Sequence, residues 1–245
     1  MHDVFQFLTV CSEAKSQHRF LSIFHDLIRS LGYEYYRVVR RDSEDLTLTG
    51  NVLAEHLPAG WREVYQERKY GSIDPVKRSF GLLNQPFRCR DVVGLLPQAT
   101  QRKRAAKLFQ DAARFGLKEA YAFPVHGRNG LLGGSFILGE GRLFSPSELF
   151  IIDTAMRVAF WRLLEFAGQS NDLLSIPDPA VTQFTRRELD VLMLLAQGKT
   201  SPEIGKILSI SSHTSDWYIN GIQRKLEAKN RQHVVALALR HGIIS

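Results

Sequence analysis

Apolar residues recur along this chain with two different periods, and the alternation between them divides it into elements. Over Glu13 to Leu31, Phe20, Ile23, Phe24, Leu27 and Leu31 fall on one helical face. Tyr33 to Val39 is aromatic and β-branched, and Leu46 to Leu53 alternates apolar with Thr or Asn, so both predict strands. Helices are predicted over Pro58 to Arg68 and over Arg102 to Phe115, the latter closed by Gly116. Tyr121 to His126 and Leu131 to Leu138 form a second predicted strand pair, joined by a Gly127-Arg-Asn-Gly130 turn. Ser145-Pro-Ser-Glu148 opens a long helix with Ser at the cap, Pro in the first turn and Glu at the third position. Strands paired with neighbours, and helices to either side, predict an α+β fold: an N-terminal α/β/α sandwich around an antiparallel sheet.

A polar stretch with two prolines, QSNDLLSIPDPA, breaks the pattern after Gly168. It predicts a linker over 169–180, with one domain over 1–168 and another over 181–245. Beyond the linker every strong period is helical. Thr185 and Glu188 form a capping box, and Gly198 closes the helix they open, whose apolar face is Leu189, Leu192, Leu195 and Ala196. Thr200 and Glu203 form a second box, opening a short helix with Ile204, Ile207 and Leu208 inward. Ser209 to Ser211 is a tight turn, after which Ser211 caps a third helix to about Glu227; a fourth spans Arg231 to His241. This is an all-α domain of four helices whose short helix, tight turn and second helix make a helix-turn-helix. Such a unit sets its second helix in the DNA major groove.

Charge agrees with that reading without carrying it. The chain has 32 Lys plus Arg against 25 Asp plus Glu, a net +7. Of this surplus, +4 lies in the last 65 residues. On the third helix Ile219, Ile222 and Leu226 make a buried stripe. Ser212, His213, Asp216, Asn220 and Gln223 or Arg224 share the opposite face, from which base edges and phosphates are in reach. A solvated face on a helical bundle is the alternative that spacing alone leaves open. The two cysteines form no disulfide framework, which points to a reducing cytoplasm. The most apolar stretch, Leu149 to Phe166, is cut by Asp153, Arg157, Arg162 and Glu165, so no membrane partner is expected. The eight histidines lack metal spacing and no catalytic constellation stands out, so neither an enzyme nor a bound cofactor is expected.

FTRRELDVLMLLAQGKTSPEI, followed by LSISSHTSDWYINGIQRKLEAKNRQHVVALALRHGII, resembles the LuxR-type helix-turn-helix over nearly all of Thr182 to Ile244. The resemblance implies double-stranded DNA as a partner, with Ser211 to Glu227 as the recognition helix. Candidate DNA contacts are Lys199, Ser212, His213, Thr214, Asp216, Trp217, Asn220, Arg224 and Lys225. Ser215, Asp216 and Tyr218 depart from the family's usual residues, and a carboxylate there repels phosphate while it can accept from cytosine.

Within the first domain, Trp61 and Tyr65 lie four apart on one helical face, and Asp74 precedes Pro75, a good helix N-cap. Aromatic core and a helix cap are the ordinary uses of these three. GWREVYQERKYGSIDPVKRS, however, resembles the acyl-homoserine-lactone-binding domain that precedes LuxR-type helix-turn-helix units. That resemblance implies that Trp61 donates to a lactone carbonyl, Tyr65 bonds an acyl carbonyl and Asp74 accepts from the ligand amide. It further implies a quorum-sensing homodimer whose small-molecule signal is an acyl-homoserine lactone. Cys89 stands where the family usually has Trp and Ala120 where it usually has Gly, and a bulky Phe136 stands near a position often held by a small hydroxyl residue. Cys89 and Ala120 leave open the same architecture ignoring lactones or answering another small molecule, and Ser215, Asp216 and Tyr218 leave open a dimerising inhibitor of a related regulator that does not bind DNA.

Overall fold

The computed structural model describes residues 2–41, 51–127, 130–169 and 184–244. The predicted linker over 169–180 lies, beyond Gln169, outside the described residues, as do residues 46–50 of the second predicted strand and Arg128-Asn129 of the predicted turn. The chain divides into two compact units, a larger α+β layered one and a small helical bundle.

In the first unit a five-stranded sheet runs in the order β2-β1-β5-β4-β3. Its strands are β1 (Tyr35–Arg40), β2 (Asn51–His56), β3 (Phe87–Arg88), β4 (Glu119–Gly127) and β5 (Gly130–Gly139). β1 pairs antiparallel with both β2 and β5, and β3 with β4. One face is covered by α1 (His2–Val10), α2 (Gln17–Ser30) and α6 (Pro146–Phe166), which bury Phe7, Phe20, Phe24 and Phe160 against Tyr36, Val38, Phe123 and Ile137. The other face carries α3 (Trp61–Glu67), α4 (Pro75–Leu82) and α5 (Ala99–Ala113), packed in two smaller clusters around Phe80 and Trp61. The α/β/α sandwich is therefore the fold.

Local chemistry accounts for most boundaries. Ser16 caps α2 through Arg19, and Ser145 with Glu148 forms the full capping box of α6. Helix α1 is amphipathic and buries Val4 and Phe7. β2 runs to His56, beyond the predicted end at Leu53, and a bulge opposite Val38/Val39 skips Leu53. The skip changes the parity of the strand, so Val52 and Glu55 both pair with residues of one sheet face. Gly134 has no room for a side chain: a Cβ there would sit 2.3 Å from the Phe123 carbonyl oxygen and 2.5 Å from the Phe80 ring. Glycine thus lets α4 close onto the sheet.

The second unit holds α7 (Arg186–Ala196), α8 (Ser201–Leu208), α9 (Ser212–Lys225) and α10 (Arg231–Arg240). Their shared core is Val191, Leu192, Leu195, Ile204, Ile219, Ile222, Leu226, Val234 and Ala238. Val191, rather than Leu189 or Ala196, completes the α7 face. Ile207 is exposed, against its predicted inward position, because Ile204 alone seats fully in the core of so short a helix.

Candidate ligand cavity and nucleic-acid interface

A cavity of about 870 Å³ opens between the sheet and helices α3, α4 and α5. All five residues singled out from sequence line it: Trp61, Tyr65, Asp74, Cys89 and Ala120. Trp61 opens α3 and is almost buried, its ring edge-on to Tyr65 at 5.9 Å and tilted against Phe115 at 5.6 Å. One turn later Tyr65 donates its hydroxyl proton to Asp74 Oδ2 at 2.7 Å. The other Asp74 oxygen, Oδ1, accepts the Val76 N–H at 2.9 Å, with Pro75 in the first turn of α4. The helix cap and the cavity carboxylate are therefore one group. Burial pushes its pKa up, against the pull of the Tyr65 and Val76 bonds. Burial and then the Asp74 charge push the Tyr65 hydroxyl up, so it remains a proton donor.

Val52, Leu57, Leu108, Phe109, Phe136 and Leu138 supply the apolar part of the remaining wall, and Arg37, Arg62, Lys69 and Lys77 bring cationic side chains to it. Phe136 stacks on Phe80 at 4.8 Å and faces the cavity, whereas Ser135 is fully buried on the opposite face with its hydroxyl towards the Met156 carbonyl at 3.5 Å. The hydroxyl neighbour is thus no part of the site. Cys89 is buried, its thiol pKa pushed well up by burial and then by Asp74, so it presents a neutral, unreactive sulfur. Below the cavity, Tyr70 and Arg68 both bind the buried Asp111 of α5, at 2.6 and 2.7 Å, tying that helix to the segment after α3.

In the helical unit the turn between α8 and α9 begins at Ser209, left-handed at φ 55°. Gly205 makes it possible, since a Cβ would meet the Ile210 carbonyl at 2.7 Å. Ser211 caps α9 by accepting the Thr214 N–H at 2.9 Å. Ser212, His213, Asp216, Trp217, Asn220, Arg224 and Lys225 are exposed on α9, with Thr214 partly covered; Lys199 lies partly covered just before α8. Thr214 Oγ1 pairs with the Ser211 hydroxyl at 2.7 Å, and two of the exposed residues bind beyond α9 within the unit. Lys225 donates to Glu188 at 2.8 Å, and that carboxylate also takes the Thr185 N–H, so it ties α9 to the start of α7. Burial would raise the Glu188 pKa, but Lys225 and Thr185 outweigh it and hold it low. Asp216 accepts from the Ser201 hydroxyl and lies 3.8 Å from Arg231, which joins α9 to the first turns of α8 and α10.

Residues 16–163 match the family described as autoinducer binding domain, and residues 182–238 match bacterial regulatory proteins, luxR family. The chain belongs to the LuxR family. It is 33% identical over 226 residues to the HTH-type quorum sensing-dependent transcriptional regulator RpaR of Rhodopseudomonas palustris, covering 91% of this chain and 88% of the relative. It is 31% identical over 217 residues to the transcriptional activator protein BjaR1 of Bradyrhizobium diazoefficiens, covering 87% and 84%. Among solved structures, Escherichia coli SdiA shares the fold with a TM-score of 0.52 at 22% identity, over 99% of this chain and 98% of that one. This LuxR-family chain is accordingly a transcriptional regulator with an autoinducer binding domain ahead of its helix-turn-helix.

The departures from the family pattern acquire physical explanations. Ser215 is fully buried beneath α9, its hydroxyl spent on the Ser211 carbonyl at 3.2 Å, and Asp216 braces three helices. Tyr218 is half-buried against the bundle core. None of the three removes the exposed face of α9. Sequence reasoning missed Arg37, which lines the cavity from β1; its signal was a charged residue at an alternate position of an otherwise buried strand, YYRVVR.

Proposed function

We propose that this regulator is a cytoplasmic homodimer that binds double-stranded DNA through α9 and responds to an acyl-homoserine lactone held in the α3–α4–α5 cavity. The convergence of Trp61, Tyr65 and Asp74 on one largely apolar cavity carries the proposal. An acyl-homoserine lactone has two carbonyls and one amide N–H that need partners when buried, and an apolar tail that needs none. Trp61 supplies an indole donor, Tyr65 a hydroxyl and Asp74 an acceptor. Tyr65 has a single proton, which Asp74 takes at 2.7 Å. Ligand binding is therefore an exchange: the amide N–H replaces Tyr65 at Asp74, and the freed hydroxyl turns to the acyl carbonyl.

The bound signal stabilises the unit by mass action, by RT ln(1 + [L]/Kd). Two recognition helices related by a twofold axis then meet half-sites about one DNA turn apart. Thermal-shift measurements with lactones of graded acyl length test the ligand, and gel retardation over a salt series tests the DNA contact. A concentration-dependent shift and a steeply salt-sensitive retarded band are expected. No shift with any lactone refutes the ligand, and no retardation at low salt refutes the DNA contact. Cys89 and Ala120 support a second reading, in which the same cavity takes a different small molecule. Mass spectrometry of compounds that co-purify with the protein decides between them.

A further inference from the structure

The sheet sends a cation into the cavity. Strand alternation in β1 turns Tyr36 and Val38 into the core under α2 and α6, and Arg37 to the opposite face, where it lines the cavity. Its cross-strand neighbours are Glu55 on β2 and Phe136 on β5. Arg37 Nε stands 3.5 Å from Glu55 Oε2, and neither atom has a hydrogen-bond partner although both are buried. The other Glu55 oxygen, Oε1, is ion-paired with Arg62, a second cavity-lining guanidinium. Two guanidiniums thus share one carboxylate, which leaves positive charge in excess at the wall. Asp74, the acid among the described lining residues, is already committed to Tyr65 and Val76.

A guanidinium nitrogen drawn out of water without its hydrogen bond, as Arg37 Nε is here, is costly. Burial and the Arg62 charge hold the Arg37 pKa below its usual value, against the pull of Tyr65 and Asp74, which line the same cavity. A plain alkyl tail offers Arg37 no acceptor beyond the long contact to Glu55, whereas a ligand oxygen accepts a charge-assisted bond from it.

We propose that Arg37 is a further ligand-contacting residue, selecting a signal whose acyl portion carries an oxygen acceptor, a keto or hydroxyl group, near the amide. This rests on the lactone reading above. The test titrates the full chain with hexanoyl and octanoyl homoserine lactones, each unsubstituted, β-keto and β-hydroxy, by calorimetry. The wild type is expected to bind the oxygenated ligands roughly tenfold tighter or better, the increment of one charge-assisted hydrogen bond. Arg37→Met should weaken only the oxygenated ligands and so erase the preference, and Arg37→Lys should restore part of it. Equal affinities in the wild type, or an Arg37→Met loss equal for both kinds, overturn the inference while leaving lactone binding standing. Failure of every lactone to bind the wild type overturns the lactone reading, and Arg37's selectivity with it. If Arg37→Met does not fold, Arg37→Lys carries the test: an unchanged preference in that variant overturns the inference, and a reduced one supports it.

Discussion

Substituting Asp74 by Asn and by Ala separates the two duties of that carboxylate. Oδ1 holds the first turn of α4 through Val76 N–H at 2.9 Å, and Oδ2 holds Tyr65 at 2.7 Å. Asn ranks with Asp as a cap, so Asp74→Asn keeps the Val76 bond, and its NH₂ donates to the Tyr65 oxygen in place of accepting. The ligand-free melting temperature should then stay near wild type. Ligand binding should not, because the lactone amide N–H now faces another N–H donor. Loss of a hydrogen bond to a charged acceptor is worth ~1.5–3 kcal/mol, which weakens binding roughly 10- to 150-fold.

Asp74→Ala removes the cap as well, at ~1 kcal/mol. It also strips Tyr65 of its partner, a loss that water in the open cavity largely makes good. The sum, about 1–2 kcal/mol, lowers the melting temperature by roughly 2–8 °C for a chain of this size. Scanning fluorimetry without ligand and calorimetry with it read the two effects apart. Undiminished lactone affinity in Asp74→Asn would refute the ligand role, and an unchanged melting temperature in Asp74→Ala would refute the cap.

Gly134→Ala drives a methyl group into the Phe123 carbonyl and the Phe80 ring, and should cost about 3 kcal/mol or more of stability; a wild-type thermal melt by circular dichroism would contradict that packing. The Arg142 and Ser145 bonds hold the Glu148 carboxyl at about 2 against an ordinary 4.5. Its stabilisation is therefore present above 4.5 and disappears as the pH falls towards 2. Glu148→Gln should narrow its gap from wild type over that interval, and a constant gap in melting temperature counts against it. On α9, Asn220→Ala should erode discrimination at one base pair by ~1–3 kcal/mol, while Arg224→Ala should weaken all sequences alike and reduce the salt slope by about 1. Retardation of matched and mismatched operators over a salt series decides both, and the reverse pattern would exchange the two roles.

What could be read from sequence was set by how local its physics is. Capping boxes at Ser145, Thr185 and Thr200 act over four residues, and each opens its helix as predicted. The helix-turn-helix is legible for the same reason, since Gly205, Ser209 and Ser211 build its turn from neighbouring backbone. The cavity was legible only in part. Trp61 and Tyr65 share a helical face and Asp74 carries a cap signature, but their meeting at 2.7 Å depends on how α3 and α4 lie on the sheet. Phe136 and Ser135 could not be told apart without strand register, and a bulge two strands away decides which residues of β2 accompany them.

Asp216 shows the same boundary from the other side. By helical spacing it belongs with Asn220 and Arg224 on the face offered to DNA, where its charge opposes phosphate. Its partners are 15 residues upstream and on the following helix, beyond the reach of any periodicity. With Ser201 and Arg231 engaged, its charge is partly answered within the unit. It sets the seat of α9 against α8 and α10, and leaves Ser212, His213, Asn220 and Arg224 among the side chains of that face without such ties in the described contacts. The acidic residue on α9 is here a brace, which reconciles a surplus of basic charge in the C-terminal unit with a carboxylate on the helix proposed to face DNA.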